Sequence, residues 1–268
     1  MIKGLYTAYT GMVNQMNRMD VLTNNLANSD TNGYKKEGAT TQSFDDVFAY
    51  KIKDTSESST YYQKKLGSIT LGVKVGETYT DYSQGSLVET GNTYDVALTG
   101  EGFFAISYSD DNGNVYYKLT RDGAFTVDQD GYLRTKDGDY VLNQTAALTM
   151  DASSDGYIQV DPTQETTIDT SGNIFQNGEL VDTIGVIDIA DYDYIEKFGE
   201  NMYQLVDGAE ITDSAAGVEQ GYIEASNVQV VSEMVDMITV ARAYESNQKL
   251  IQTIDSMIGT AVTQVGRL

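Results

Sequence analysis

The chain has no cysteine, no histidine and no tryptophan, and one proline among 268 residues. Without cysteine it has no disulfide, no thiolate nucleophile and no thiolate-bound zinc or iron–sulfur cluster. Without histidine it lacks the commonest general base and metal ligand, and every Ser-His-Asp arrangement. Basic residues are scarce too: 17 Lys and Arg stand against 40 Asp and Glu, a formal charge of −23. That charge repels phosphate backbones, so no nucleic-acid partner is expected. Long apolar runs are also missing. Lys3, Asn14, Gln15, Asn17, Arg18 and Asp20 break up the N-terminus, which leaves no continuous apolar segment of about 7–15 residues for a secretory signal. No stretch approaches the ~18 apolar residues of a membrane span, so no membrane insertion is expected. Carboxylate chemistry, calcium binding and protein–protein assembly remain open.

The excess charge is central. Residues 1–53 hold 6 basic and 5 acidic residues and residues 226–268 hold 3 and 4, so the whole surplus lies in 54–225. Near-neutral ends can approach copies of themselves, and an acidic middle suits a solvated surface.

Both ends read as helices. At the N-terminus Ile2, Leu5, Tyr9, Met12, Met16 and Met19 recur at alternating steps of 3 and 4, with Leu22 and Leu26 beyond. That is a heptad seam. The turn formers Ser29-Asp30-Thr31-Asn32-Gly33 end the helix near Asn28. At the far end Ser226 and Gln229 have the spacing of a capping box. Val231, Met234, Ile238 and Ala241 then keep heptad steps, as do Ile251, Ile254, Ile258, Ala261, Val265 and Leu268. The ten-residue step from Ala241 to Ile251 breaks that register like a stammer. A stripe confined to two positions per heptad fits a helix–helix seam better than packing on a domain core.

The middle reads as β. Residues 68–76 alternate, with Ile69, Leu71, Val73 and Val75 on one face of a single half-buried strand. Asn-Gly and Asp-Gly pairs punctuate the rest, and Asn112-Gly113 between Phe103–Ser107 and Val115–Arg121 is the clearest hairpin signal. Asp54–Thr60 reads as a flexible connector. The expected fold is α+β. Helical segments 1–34 and 226–268 form a coiled-coil-like assembly module, 35–67 is a connector with extended segments, and 68–225 is a mainly antiparallel β domain.

Site motifs fail on inspection. Gly100-Glu101-Gly102-Phe103-Phe104-Ala105 matches a dinucleotide fingerprint in letters but leads into a strand, where the motif must open a helix. Asp110-Asp111-Asn112-Gly113 and Asp128-Gln129-Asp130-Gly131 lack the ligand spacing of a calcium loop and read as turns. Among 40 acids some carboxylate pair always lies close, so pairing carries no information about glycoside hydrolysis. No catalytic residue, metal site or cofactor is expected. Two rival classes, a calcium-dependent surface adhesin and a carbohydrate-active enzyme, would need metal-dependent folding or turnover.

Gly4-Leu5-Tyr6-Thr7-Ala8, Gly11-Met12, Asn24-Asn25-Leu26-Ala27-Asn28 and Thr31-Asn32-Gly33-Tyr34-Lys35 together resemble the N-terminal signature of the flagellar basal-body rod family. Gly221–Val228, which includes Ser226-Asn227-Val228, resembles its C-terminal signature together with Glu233-Met234-Val235 and Arg242-Ala243-Tyr244-Glu245. Asp95-Val96-Ala97-Leu98, Gly102-Phe103-Phe104 and Thr120–Phe125 match the family's centre. Length and whole-chain match look most like the distal rod type, and a proximal rod or hook subunit stays open. The resemblance implies a structural subunit exported through the flagellar export apparatus without signal cleavage. Such a subunit polymerises helically with itself and joins other rod and hook proteins, outside the cytoplasmic membrane, to transmit torque. Leu5, Tyr9, Met12, Met16, Leu26, Ile238, Ile251, Ile254 and Ile258 are the expected subunit-packing residues. Asn24, Asn25 and Asn28 are expected to close the helix or to bond neighbouring backbone.

Overall fold

The computed structural model describes residues 2–52, 63–110, 114–150, 156–199 and 201–266. The expected connector 54–60 and the Asn112-Gly113 turn lie wholly or largely outside the described residues. The chain forms two units. A helical unit comprises Met1–Ala27, Glu37–Asp81 and Gln229–Leu268, and a β unit comprises Asn28–Lys36 and Tyr82–Val228. Residues 37–81, read from sequence as a connector and the start of the β domain, thus cluster with the two helices.

In the helical unit, α1 (Ile2–Ala27) packs against a long C-terminal helix (Val230–Val265). At 1.5 Å per residue that second helix spans roughly 54 Å. The strand pair Glu37–Ser43 and Val73–Thr80 is antiparallel and lies against α1, and Val47–Ile52 pairs with Gln63–Ile69. Two sequence expectations are corrected here. Residues 68–76 are not one strand: Gln63–Ile69 ends and Val73–Thr80 begins across a break that contains Gly72. At the break Gly72 passes close to α1, where a Cβ would lie 2.2 Å from Thr10 Oγ1, and its φ is +149°. The alternation continues through the break only in the letters. The capping box does not form either. Gln229 is the N-cap with no side-chain bond, and Ser226 Oγ instead accepts from Val228 N at 3.3 Å.

The β unit is built on the expected hairpin. Phe103–Ser109 pairs antiparallel with Val115–Thr120, from Phe104 opposite Thr120 to Ser109 opposite Val115. Met202–Leu205 and Ile195–Gly199 extend the sheet on one side, and Tyr140–Val141, Leu133–Arg134 and Thr126–Val127 extend it on the other. Phe103-Phe104-Ala105-Ile106 is continuously apolar because both faces of its strand are covered. Phe103 and Ala105 join one core with Leu119, Leu142, Ile187 and Tyr203. Phe104 joins another with Val96, Leu98, Phe125, Ile158 and Val186. A short helix, α2 (Gln144–Thr149), is capped by Asn143, whose side chain accepts from Ala146 N. All described strand pairings are antiparallel. The long C-terminal helix is α3 below.

Candidate functional site

The two long helices run antiparallel in one register. The Cβ position of Gly4 lies 3.8 Å from Ile254 Cδ1, that of Gly11 lies 3.1 Å from Asn247 Nδ2, and Asn25 Nδ2 donates to Glu233 Oε2 at 3.3 Å. In each pair the residue numbers add to 258. On α3 the covered stripe is Glu233, Met237, Val240, Tyr244, Asn247, Ile251, Ile254, Ile258 and Ala261, all buried or half-buried. Its steps alternate between 4 and 3 without interruption, so the apparent stammer after Ala241 is absent from this face. Val231, Met234 and Ile238, the letters that marked a seam in sequence, are 76%, 50% and 52% exposed.

A polar lock holds one end of the pair. Asn25 is fully buried, and its amide donates to Glu37 O at 2.8 Å while its carbonyl accepts from Glu37 N at 2.9 Å. A side-chain amide can satisfy both backbone groups of one residue, and the extra bond to the buried Glu233 fixes where α3 sits. Asn28 contributes a turn, with Oδ1 accepting from Thr31 Oγ1 at 3.3 Å. Asn24 is exposed.

Away from this contact both helices carry large apolar side chains on open faces. On α3 these include Val230, Val231, Met234, Val235, Ile238, Leu250, Met257 and Val262; on α1 they include Tyr6, Tyr9 and Met16. The expected packing residues therefore divide. Tyr9, Met16 and Ile238 are exposed, Leu5, Met12, Leu26 and Ile251 are half-buried, and Ile254 and Ile258 are half-buried on the stripe that meets α1. Arg242 is exposed, and Tyr244 lies on the covered stripe.

The remaining motif residues meet inside the β unit. Asn227 Oδ1 accepts from Lys36 N at 2.7 Å, and its Nδ2 donates to Ser83 O at 3.1 Å. Beside it Glu224, 1% exposed, takes Lys35 Nζ at 2.5 Å and Gly85 N at 2.8 Å on one oxygen and Arg121 at 3.3 Å on the other. Gly33 (φ +64°) donates its N–H to Glu224 O at 2.7 Å and passes so close to Arg121 that a Cβ would lie 2.5 Å from that residue's backbone. Val228 is buried. Sequence reasoning quoted Lys35, Arg121 and Glu224 inside motifs without giving them a role, because an ion pair between residues 189 positions apart leaves no periodic signal.

Among the described residues no arrangement resembles a reaction centre. A cavity of about 480 Å³ is lined by hydroxyl side chains such as Thr170 and Ser214 and by apolar ones such as Ile184 and Val218, and its carboxylate, Asp213, is bound by Gln144 Nε2 at 2.7 Å. Asp128 serves its own turn by accepting from Gln129 N, and it pairs with Arg134 at 2.9 Å. Burial pushes the Asp122 carboxyl up, against a hydrogen bond from Ala124 N that pulls it down. The Tyr192 hydroxyl is likewise pushed well above its ordinary range by burial and by its bond to Asp188. Among the described residues no helix is long and apolar enough to cross a membrane.

Three family profiles match in chain order. "Flagella basal body rod protein" covers residues 5–35, "Flagellar hook protein FlgE/F/G D1 domain" covers 97–185, and "Flagellar basal body rod FlgEFG protein C-terminal" covers 219–264. The flagellar basal-body rod protein FlgG of Buchnera aphidicola subsp. Schizaphis graminum is 34% identical over 271 residues, 96% of this chain and 98% of that protein. The chain belongs to the flagellar basal-body rod protein family. FlgG of Bacillus subtilis is 32% identical over 96% of this chain and 97% of its own length. FlgF of Caulobacter vibrioides is 31% identical over 97% and 98%. The family is one of structural rod proteins of the flagellum, so the chain is a structural component of the basal body.

Proposed function

We propose that the chain is a rod subunit of the distal type that polymerises helically with copies of itself and carries motor torque towards the hook. Terminal helices of neighbouring subunits pack through coiled-coil-like seams, and the acidic β unit faces solvent. The subunit is exported unfolded by the flagellar export apparatus, with no cleaved signal, and assembles outside the cytoplasmic membrane beside other rod and hook proteins. The absence of cysteine supports this, since a chain delivered unfolded then refolds without disulfide chemistry.

The observation that carries the reading is the exposed apolar stripe Val231, Met234, Val235 and Ile238 on α3. Scattered surface hydrophobics need no explanation, but contiguous ones mark interaction sites. These four follow a helical period on a helix whose opposite stripe is already occupied by its own chain. The test is Val231→Asp with Ile238→Asp. Both positions are exposed, so the purified double variant should melt within ~0.5 kcal/mol of wild type. In cells it should be secreted but not incorporated, and swimming should stop. Normal swimming with complete rods would overturn the packing assignment.

A further inference from the structure

The chain crosses between the two units four times, at 27/28, 36/37, 81/82 and 228/229. On the β unit the segments beside these crossings are tied to one another through two residues. Glu224 bonds Gly33 through its backbone, and Lys35, Gly85 and Arg121 through its carboxylate. Asn227 bonds Lys36 N and Ser83 O, and its own N–H donates to Tyr34 O at 3.4 Å. Lys35 Nζ closes the ring by donating to Ser83 O at 2.9 Å. Segment 28–36 is thereby bonded both to the start of the run 82–228 and to its end.

We infer that Glu224 and Asn227 form a clasp that gathers all four crossing segments at one place on the β unit. Force that enters the β unit along these segments is shared by the clasp. The inference rests on the rod-subunit reading, and it adds positioning residues which that reading alone does not supply. The physical case is one of stiffness. Four separately anchored tethers would each bend under load, whereas segments bonded to a shared carboxylate and a shared carboxamide move together. The anchor is buried: Lys35, Glu224 and Arg121 are 1%, 1% and 3% exposed. Charge-assisted bonds shielded from water are stronger than neutral or exposed ones. Two cations share one carboxylate, which makes Glu224 the member the others depend on. Substituting it leaves two buried charges without their counter-ion and risks the fold. Asn227 is half-buried and uncharged, and is therefore the better probe.

The experiment uses full-length Asn227→Ala, followed by hydrogen exchange and by the rotation of tethered cells at low and high viscosity. Losing the side chain's bonds should speed exchange in 28–36 and 82–86 by roughly ten-fold or more, with 96–107 unchanged. Rotation should be normal at low load and fall at high load. If the protein is poorly secreted, Asn227→Gln, which keeps the carboxamide one methylene further out, is measured by the same criteria and should show the same pattern more weakly. The clasp is overturned if exchange in the two segments does not change, or if the core opens in parallel. Rotation that is insensitive to load despite local opening would also overturn it. That last result leaves the rod-subunit reading standing, because the reading fails on Val231→Asp/Ile238→Asp and not on this variant.

Discussion

Gly11 offers a measurement of how closely the two long helices approach. Glycine inside a helix costs about 1 kcal/mol relative to alanine. Here it faces Asn247, whose Nδ2 lies 3.1 Å from where a Cβ would stand. Gly11→Ala therefore has two opposed effects, a propensity gain and a tight contact that must push Asn247 aside. In the wild-type background the two should nearly cancel, leaving a change within ~0.5 kcal/mol, or a small loss. With Asn247→Ala already in place the contact is gone, and the same substitution should stabilise by about 1 kcal/mol. Gly11→Leu overfills the site and should cost about 1–3 kcal/mol in the wild-type background. The assay is urea denaturation followed by helical circular dichroism, arranged as a double-mutant cycle. Gly4→Ala is the control, since its Cβ would meet Ile254 Cδ1 at an ordinary 3.8 Å and its effect should not depend on residue 247. If Gly11→Ala stabilises equally in both backgrounds, the helices do not meet at this point and the register is wrong.

Ile254→Asp should lower the stability of the helical unit by about 2 kcal/mol, since it sets a carboxylate against α1 at a half-buried position, while Ile254→Ser costs less. The melting transition of the β unit should not move, and a shift there would contradict the division into units. Asp122→Asn should stabilise the β unit at pH 7. Burial raises the folded carboxyl, so its ionisation opposes folding above the folded pKa, and the gain should shrink with falling pH and vanish below about 4. A gain that persists at pH 3 would rule out titration as its cause. Chelator should leave the melting temperature unchanged, and a drop reversed by calcium would revive the adhesin class.

Much of the fold could be read from the sequence because it rests on local chemistry. The end of α1 follows from a cluster of turn formers, and the hairpin on Phe103–Ser109 follows from two β runs around a turn pair. What could not be read depends on partners distant in the chain. The covered stripe of α3 includes Glu233, Tyr244 and Asn247, which a hydropathy pattern counts as outward. Without them the series Val231, Met234, Ile238 and Ala241 is taken for the stripe, and its ten-residue step to Ile251 is the false stammer. Periodicity reports that a face is apolar without reporting whether this chain or another covers it. The clasp was hidden for the same reason: Glu224 looks like any other acid until Lys35 and Arg121 are folded onto it. The close approach of Gly72 to Thr10 is likewise invisible in the letters, because Thr10 lies on another element.

The pair α1 and α3 buries one apolar stripe and leaves other apolar positions open. The internal contact combines apolar residues such as Val240, Ile251, Ile254 and Ile258 with small and polar ones, Gly4, Gly11 and Asn25 on α1 and Asn247 and Glu233 on α3. The apolar residues Tyr6, Tyr9, Met16, Val231, Met234, Val235 and Ile238 face outward. The polar contacts fix the register of the pair, as single buried polar residues do in helix seams, and leave the apolar area for association. Fully burying such a side chain is worth about 1.5–3 kcal/mol. These seven are half exposed or more, so covering what remains is worth roughly 5–10 kcal/mol per subunit. Association costs an estimated 4–15 kcal/mol in lost freedom. A single pairwise contact that covers part of this surface falls short over most of that range, whereas a site flanked by several subunits covers all of it against one loss of freedom. Subunits should therefore stay monomeric in solution and add only to a preformed end. Sedimentation of the purified chain should show monomer at concentrations where rod ends bind it, and spontaneous filaments formed without such ends would show that one contact suffices.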